Sequence, residues 1–229
     1  MSVTAFIPVK ESSKRAPLKN FRNFGDSSKS LLEIKLQQLC KLDTLDEIVV
    51  SSDSSKAKAT VADMGDPRIR FEPRAERLAA DDTNIRDLVA HACEVSTMSD
   101  ILWTHVTSPF FGSKNYEEAI SQYRQAKIEG FDSLISVEVL NKYAIFNGFH
   151  LNFGSEDVFW PRTQDLEPVF VVNSAIFIAG RDLMKASLNR IGTRVHYLET
   201  DAITGLDIDT EKDFLFAESL ARLHEGLMA

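Results

Sequence analysis

The sequence predicts a three-layer α/β fold, in which a mostly parallel sheet carries helices on both faces. Apolar runs typical of buried strands alternate with segments of helical periodicity from residue 3 to residue 137. Alternation at this rhythm is typical of parallel sheets that are covered on both sides. With 229 residues, of which 44% are hydrophobic and 26% charged, the chain can bury one substantial core, so we expect a single domain.

The opening of the chain predicts a strand-helix-strand unit. Val3–Ile7 is rich in β-branched and aromatic residues and is interrupted by Pro8, which favours a central strand. A loop through residues 10–20 leads to Leu31–Leu39, where apolar residues recur at helical spacing. The apolar run Asp46–Ser51 then predicts a second buried strand.

The alternation continues through the middle of the chain. The predicted elements are, in order, a helix over Ser54–Met64, a strand over Ile69–Phe71, a polar loop over Leu78–Thr83, a helix over Asn84–Val95, a strand over Ile101–Val106, a helix over Tyr116–Lys127 and a strand over Ser133–Val137.

Residues from about 138 to 170 break this rhythm. The segment is rich in Phe, Asn, Gly and Trp without a helical period, which predicts hairpins or extended arms that elaborate the domain. Its aromatic residues would form either an exposed patch suited to an oligomer contact or a local core under a loop: Phe146, Phe149, Phe153, Phe159 and Trp160. A strand over Val169–Ile178, another near Val195–Leu198 and a helix over Thr210–Leu223 close the domain.

Charge and cysteine content exclude several classes of protein. A formal net charge of -8 argues against non-specific binding to nucleic acid or to a membrane surface, since either would require a large positive face. No stretch is long and apolar enough to span a membrane, and the first residues lack the pattern of a signal peptide. Cys40 and Cys93 match no metal or redox motif, so we expect buried thiols and a cytoplasmic protein.

A basic loop follows the first strand. Lys10, Lys14, Arg15 and Lys19 lie within one loop at the carboxyl end of that strand, which is where open α/β sheets bind ligands. Four converging cations would be neutralised by a triphosphate. The alternative is a solvated basic loop with no ligand.

Two aspartates near the end of the chain are candidates for a metal site. Asp207 and Asp209 are separated by Ile208, and alternate side chains of an extended segment point to one face. Mg²⁺ is commonly held by one or two carboxylates together with water and substrate phosphate. Because the last helix begins near Thr210, Asp209 could instead serve as its N-cap.

Five segments together resemble one enzyme family. They are residues 13–20 (SKRAPLKN), 50–53 (VSSD), 78–83 (LAADDT), 106–109 (VTSP) and 207–213 (DIDTEKD). In order and spacing they are similar to the acylneuraminate cytidylyltransferases, over nearly the whole chain. That resemblance implies a Rossmann-like nucleotidyltransferase fold, a Mg²⁺-dependent reaction joining CTP to an acidic nine-carbon 2-keto sugar with release of pyrophosphate, and a homodimer whose contact lies in the segment after the fifth strand.

The resemblance also implies roles for matching positions. The catalytic residues would be Lys14, Lys19 and Asp209, and Mg²⁺ would bind Asp207 and Asp209. The acceptor sugar would lie near His105, Arg162 and Asn173. The nucleotide would contact Lys10, Ser13, Lys14, Arg15, Lys19, Asn20, Ser51, Asp53, Ala80, Asp82, Thr83 and Thr107.

The chain also departs from the family pattern. Its first loop, residues 8–15, contains no glycine and carries Glu11, so phosphate would be held more by side chains than by backbone amides. His105 and Val106 stand where the family often has Gln-Pro, and Ser174 where it has Gly. These changes lie toward the sugar and leave the acceptor open, including a nonulosonate other than sialic acid, a shorter keto-sugar acid or a phosphonate. For His105 itself, contact with the acceptor competes with an ordinary hydrogen-bonded histidine.

Two other functions remain open at this level. A non-catalytic nucleotide-binding member of the family would explain Glu11 and the glycine-free loop. A transferase that uses a preformed nucleotide sugar through Asp207 and Asp209 would explain the aspartates but not the basic loop. A nicotinamide-dependent dehydrogenase is disfavoured because no GxGxxG follows the first strand.

Overall fold

The computed structural model describes residues 2–11, 14–80, 82–155 and 157–223. The strands are β1 (Val3–Val9), β2 (Glu47–Ser52), β3 (Ile69–Pro73), β4 (Asp100–Thr104), β5 (Ser133–Leu140), β6 (Ile145–Phe146), β7 (Phe149–His150), β8 (Val169–Gly180) and β9 (Val195–Thr200). The helices are α1 (Leu31–Cys40), α2 (Ser55–Met64), α3 (Ile85–Val95), α4 (Ser113–Ile128), α5 (Arg181–Ser187) and α6 (Glu211–Leu223).

Seven strands form one sheet in the order β3-β2-β1-β4-β8-β5-β9. All neighbouring pairs are parallel except the two that involve β8, which runs antiparallel to both β4 and β5. β1 lies between β2 and β4, as its composition predicts. The predicted mostly parallel α/β sheet is therefore confirmed.

Each face of the sheet is covered by helices because the strands carry apolar side chains on both sides. Along β8, Ile176 and Ile178 pack into the core beneath α1, α2, α4 and α6, whereas Phe177 and Ala179 pack into the core beneath α3 and α5. All four side chains are buried. This two-sided burial explains why the strands read as continuous apolar runs.

Several boundaries differ from the predicted ones. β4 ends at Thr104, so His105 and Val106 lie beyond the strand, and β5 continues to Leu140. The short helix α5 was not predicted, because seven residues that expose most of their side chains show no clear helical period. Cys93 is buried but Cys40 is only half-buried, and both are free thiols.

The segment after β5 forms an extended arm, which we define as residues 141–168. It contains the predicted hairpin, in which β6 and β7 pair antiparallel around a turn where Asn147 and Gly148 both have positive φ. The rings of Tyr143, Phe153 and Trp160 pack against one another, with centroids 5.0 to 5.2 Å apart. Other aromatic side chains of the arm face solvent, and Phe149 is 74% exposed.

No helix within the described ranges combines the length and the apolar character that crossing a membrane would require.

Candidate active site

A cleft of about 650 Å³ opens beyond the carboxyl ends of β1 and β4. Open α/β sheets bind their ligands at this edge. The charged side chains that line the cleft are six basic ones and two carboxylates: Lys10, Lys14, Arg15, Lys19, Arg74, Arg190, Asp207 and Asp209. The cleft is therefore positive in a protein whose formal net charge is -8, which suits a polyanionic ligand.

The last residues of the basic loop hold it at the cleft. Leu18 adopts a left-handed conformation with φ 54°, and Lys19–Phe21 then forms a single 3-10 turn. The buried ammonium of Lys19 donates to the carbonyl oxygens of Ile208 and Asp209. Burial lowers the pKa of Lys19, and the carboxylates of Asp209 and Asp207 oppose that shift. Lys19 thus ties the loop to the segment that carries both aspartates.

Asn20 lies beside Lys19 with one half of its amide engaged. Its Nδ2 donates to the carbonyl oxygen of Lys10 at 3.0 Å. Its Oδ1 is buried and accepts no hydrogen bond from any described residue. Since a buried acceptor without a donor is costly, this oxygen is suited to a hydroxyl of a ligand in the cleft.

Lys10 fixes the loop that follows the short turn at residues 76–78. Its Nζ donates to the carbonyl oxygen of Ala80 at 2.6 Å, and the hydroxyl of Thr83 donates to the same oxygen at 2.8 Å. Neither Ala80 nor Thr83 lines the cleft, whereas the apolar side chains of Ile85 and Leu88 do. The α3 end of the cleft therefore offers an apolar wall beside a cation.

The two aspartates share one face of an extended segment. Asp207 and Asp209 both line the cleft, while Ile208 between them is fully buried in the core. Thr210, rather than Asp209, caps α6: its hydroxyl accepts from the amide of Asp213 at 3.3 Å, and the Asp213 carboxylate accepts from the Thr210 amide at 2.7 Å. This capping box leaves both cleft carboxylates available for other partners.

The carboxylate of Asp209 is paired with the basic loop. Arg15 donates to it through both terminal nitrogens, at 3.0 and 3.2 Å, and Lys19 Nζ lies 3.9 Å away. Asp207 differs, because its Oδ1 is buried without a hydrogen-bond partner among the described residues. Burial raises the pKa of Asp207, a hydrogen bond with the Thr107 side chain opposes that shift, and the charge of Asp209 adds to it.

This donor set fits a hard divalent cation. Two carboxylates face one cleft, and one of their oxygens is a buried acceptor with no donor from the described residues. Such a site matches an ion that takes one or two carboxylates and fills its other positions with water and phosphate oxygens. No group of three or more His, Cys, Asp or Glu side chains suited to a metal occurs in the described part of the chain. The fit therefore rests on this pair.

The floor of the cleft beyond β4 is held from below by a buried lysine. Lys35 is completely buried and donates to the carbonyl oxygens of Ser108 and Phe111, both at 2.9 Å, and to the Tyr116 hydroxyl at 2.8 Å. Burial lowers its pKa well below the ordinary value. The two hydrogen bonds to carbonyl oxygens fix the turn that presents Thr107 to the cleft, and the third joins this turn to α4.

His105 and Arg190 lie together at the β4 side of the cleft. Nε2 of His105 is 3.1 Å from Trp103 Nε1 and 3.4 Å from Arg190 Nη1. Indole and guanidinium nitrogens only donate, so Nε2 must be the unprotonated nitrogen and Nδ1 carries the proton. Burial, and then the charges of Arg190, Lys19 and Lys35, lower the pKa of His105 to about 3. His105 is therefore a neutral donor rather than a base at Nε2.

Several residues implied by the family resemblance lie outside the cleft lining. The Ser51 hydroxyl hydrogen-bonds with His91, and Asp53 accepts from the Glu11 amide at 3.2 Å. Asp82 is exposed. Ser13 is outside the residues that the structure describes.

The two other expected acceptor residues are engaged elsewhere. The amide of Asn173 accepts from the Ser136 hydroxyl and donates to the Thr200 hydroxyl, both at 2.6 Å, so it joins β5, β8 and β9. Arg162 lies on the arm, where its exposed guanidinium pairs with Asp165 at 2.7 Å. Neither side chain lines the cleft of the same chain.

Glu11 does not bring a carboxylate into the cleft, since it is not among the described residues that line it. Its amide donates to the carboxylate of Asp53 at 3.2 Å. Of the two sequence features that suggested a degenerate site, the loop without glycine is therefore the one that also bears on the cleft.

Sequence reasoning missed several residues that line the cleft, among them Arg74, Ile85, Leu88 and Arg190. Arg74 follows β3 directly and donates to the carbonyl oxygen of Val9 at 2.7 Å, so its position at a strand end was an available signal. Arg190 lies in the polar connection between α5 and β9, and no local pattern distinguishes it.

Comparisons with known proteins agree with this geometry. A family model described as cytidylyltransferase matches residues 4–228. The N-acylneuraminate cytidylyltransferases of Streptococcus agalactiae serotypes V and III are 24% and 23% identical to the chain, over 94% of it and 52% of their own length. The chain thus spans about half the length of the curated relatives it matches.

Two solved structures share the fold. The 4-diphosphocytidyl-2C-methyl-D-erythritol synthase of Anaerococcus prevotii has a TM-score of 0.68 at 14% identity, covering 96% of each chain. A CMP:2-keto-3-deoxy-manno-octonic acid synthetase, solved with CTP, has the same TM-score and identity over 97% of this chain and 99% of that one.

Proposed function

Because the chain belongs to the cytidylyltransferase family, we propose that it transfers the cytidylyl group of CTP to an acidic 2-keto sugar and releases pyrophosphate. The observation that carries the proposal is the cleft at the carboxyl ends of β1 and β4, where six basic side chains surround two carboxylates. The names of two similar proteins, one acting on N-acylneuraminate and one on 2-keto-3-deoxy-manno-octonic acid, support an acceptor of this class.

The basic loop and the α3 end of the cleft would bind the nucleotide. Lys14, Arg15 and Lys19 supply positive charge for the triphosphate, and the unpartnered Oδ1 of Asn20 would accept a ribose hydroxyl. Ile85 and Leu88 give an apolar wall for the base. The carbonyl of Ala80 already accepts from Lys10, so in this arrangement it is not an open acceptor for the cytosine amine.

The reaction would be a displacement at the α-phosphorus of CTP. An acceptor hydroxyl oxygen forms a bond to that phosphorus, the bridging oxygen leaves on pyrophosphate, and the hydroxyl proton is released to solvent. Lys14 and Lys19 would stabilise charge on the leaving pyrophosphate, and the hydrogen bonds from Lys19 to the carbonyl oxygens of Ile208 and Asp209 hold this part of the loop over the site. Positioning and electrostatics would supply most of the catalysis.

Asp207 and Asp209 would hold Mg²⁺. When bound, the ion would supply charge stabilisation at the phosphates. Binding of the ion to Asp209 would require this carboxylate to break its two hydrogen bonds with Arg15. The guanidinium of Arg15 would then be available to bind phosphate. Asp207 is already oriented toward the cleft by the burial of Ile208 and the hydrogen bond with Thr107.

The arm would form a homodimer contact. Phe146, Phe149 and Trp160 are 63%, 74% and 64% exposed, which is unusual for so many large apolar side chains in one short segment. If two copies bury this surface, Phe149→Asp should shift the protein from dimer to monomer in light scattering coupled to gel filtration. A monomeric parent protein, or a dimer that tolerates the change, would contradict this assignment.

Calorimetric titration with CTP, UTP, ATP and GTP, each with and without Mg²⁺, tests the proposed function first. We expect selective binding of CTP that strengthens with Mg²⁺, followed by pyrophosphate release when acidic keto sugars are supplied. Absence of binding, or equal affinity for all four nucleotides, would overturn the proposal.

A further inference from the structure

We infer that Arg190 and His105 form the subsite that receives the anionic group of the acceptor. The inference rests on the proposed function, since it concerns the second substrate of the same cleft. Neither the basic loop nor the aspartate pair includes these residues, and no sequence motif marks Arg190.

The guanidinium of Arg190 is held in place by aromatic rings. Its central carbon lies 4.0 Å from the ring centroid of Phe177 and 5.0 Å from that of Trp103. Both rings are buried in the core on the α3 and α5 face of the sheet. Contact with two buried rings leaves the planar group little freedom, so its nitrogens are oriented before any ligand arrives.

Arg190 has more donors than the protein uses. A guanidinium carries five N–H groups. Among the described residues, Arg190 donates a hydrogen bond only from Nη1 to His105 Nε2, at 3.4 Å. It forms no ion pair with a carboxylate in the described part of the chain, in contrast to Arg15 with Asp209 and Arg74 with Asp53. Burial without such a partner lowers the pKa of Arg190 to about 10, so the group stays charged near neutral pH.

A half-buried cation without a protein carboxylate is suited to a ligand anion, because desolvating a charge is favourable only when it gains a partner. A guanidinium fork matches the two oxygens of a carboxylate or a phosphonate. His105 stays neutral and accepts at Nε2 from Trp103 and Arg190, so it positions the guanidinium without pairing its charge. Arg190 therefore presents a guanidinium fork, held by two rings and by His105, to one oxyanion.

The position of this pair also fits the second substrate rather than the triphosphate. His105 directly follows β4, next to Thr107 and Ser174 in the cleft lining, whereas Lys10 is bound to Ala80 at the end of the cleft near α3. Lys14, Arg15 and Lys19 belong to the loop after β1. An acceptor anchored at Arg190 would thus approach the phosphates from the β4 and β8 side.

Trp103 provides a direct reporter of this subsite. The protein has two tryptophans, and the other, Trp160, is exposed on the arm, so Trp160→Phe gives a protein whose emission comes from Trp103 alone. In that parent protein, loaded with CTP, we would titrate pyruvate, methylphosphonate and, as an uncharged control, methyl pyruvate. We expect saturable changes in emission with at least one of the two anions and none with the ester.

The matched variants are Arg190→Gln and Arg194→Gln, both in the parent protein. Arg194 lies four residues further along, with its guanidinium over Phe131 and outside the cleft lining. Arg190→Gln should weaken anion binding by at least about 30-fold, as expected when one partner of a buried charge pair is removed. Its affinity for CTP should be unchanged, and Arg194→Gln should bind both ligands as the parent does.

The outcomes separate this inference from the proposed function. Preference for pyruvate identifies a carboxylate acceptor, and preference for methylphosphonate a phosphonate. The inference is overturned if neither anion changes the emission of Trp103, if Arg190→Gln binds them like the parent, or if this variant loses CTP affinity to the same extent. A parent protein that fails to bind CTP at all would instead overturn the cytidylyltransferase proposal, whatever the anions do.

Discussion

Replacing Asp209 with Asn separates the roles of its carboxylate in stability and in catalysis. In the structure this carboxylate pairs with Arg15, and the two side chains are 48% and 65% exposed. Exposed pairs of this kind contribute about 0 to 1 kcal/mol. Asp209 does not cap α6, because Thr210 and Asp213 do so. The free energy of unfolding should therefore fall by no more than about 1 kcal/mol.

The effect of Asp209→Asn on turnover should be much larger. If the carboxylate holds Mg²⁺ at the phosphates, its loss removes several kcal/mol of transition-state stabilisation, and about 4 kcal/mol corresponds to a roughly 10³-fold fall in kcat. Affinity for CTP without Mg²⁺ should not weaken, since Asn removes a negative charge from the cleft and releases Arg15. Steady-state kinetics, urea denaturation and calorimetry would measure the three quantities.

Glu211→Gln is the matched control for this experiment. Glu211 accepts two hydrogen bonds from Arg22, both at 3.0 Å, and lies two residues after Asp209 but outside the cleft lining. The Glu211→Gln protein should lose an ion pair similar to that of Asp209 and keep its activity. If Asp209→Asn retains a kcat within about threefold of the unmodified protein, the barrier has changed by less than about 1 kcal/mol and the metal assignment is refuted.

Three further predictions concern stability. Burial raises the pKa of Asp207, so the folded protein keeps this proton to a higher pH than the unfolded chain. Asp207→Asn should therefore increase the thermal stability at neutral pH. This gain should disappear as the pH falls through the raised pKa of the folded protein to the ordinary pKa of the unfolded chain. An equal gain at pH 3 would contradict the prediction. Thr210→Ala should lower the free energy of unfolding by about 1 kcal/mol in urea while Thr210→Ser retains it, and equal losses would argue against the cap. Lys35→Met removes three buried hydrogen bonds and should cost at least about 2 kcal/mol, measured in the same way, so an unchanged stability would show that relief of the buried charge compensates fully.

Strong local patterns explain the parts of the fold that the sequence predicts. The helices over Ile85–Val95 and Leu31–Cys40 have regular apolar spacing and side-chain caps at Asn84 and Ser30. Their positions can therefore be predicted from neighbouring residues alone. The direction of β8 cannot be predicted in this way, because a strand that is apolar on both faces has the same sequence pattern whether its neighbours are parallel or antiparallel. The direction is determined by how β8 pairs with β4 and β5 in the folded sheet.

The candidate site divides in the same way. The basic loop is predicted because four cations cluster at the end of a predicted strand, and the aspartate pair because alternate side chains of an extended segment point to one face. Arg190 joins them only through packing on Phe177 and Trp103, which lie 13 and 87 residues earlier in the chain, and no local pattern encodes such a contact. Asn173 and Arg162 were inferred from the family resemblance alone, and their side chains have partners outside the cleft of this chain.

The antiparallel direction of β8 determines where the arm is attached. β5 ends at Leu140 on the edge of the sheet where the cleft opens, and β8 begins at Val169 directly beside it. If β8 ran parallel to β5, the connection would first have to return along the eight residues of β5, a distance of about 26 Å at the usual rise of a strand. Because one strand is reversed, the arm both leaves and rejoins the sheet at the edge that carries the carboxyl ends of β1 and β4.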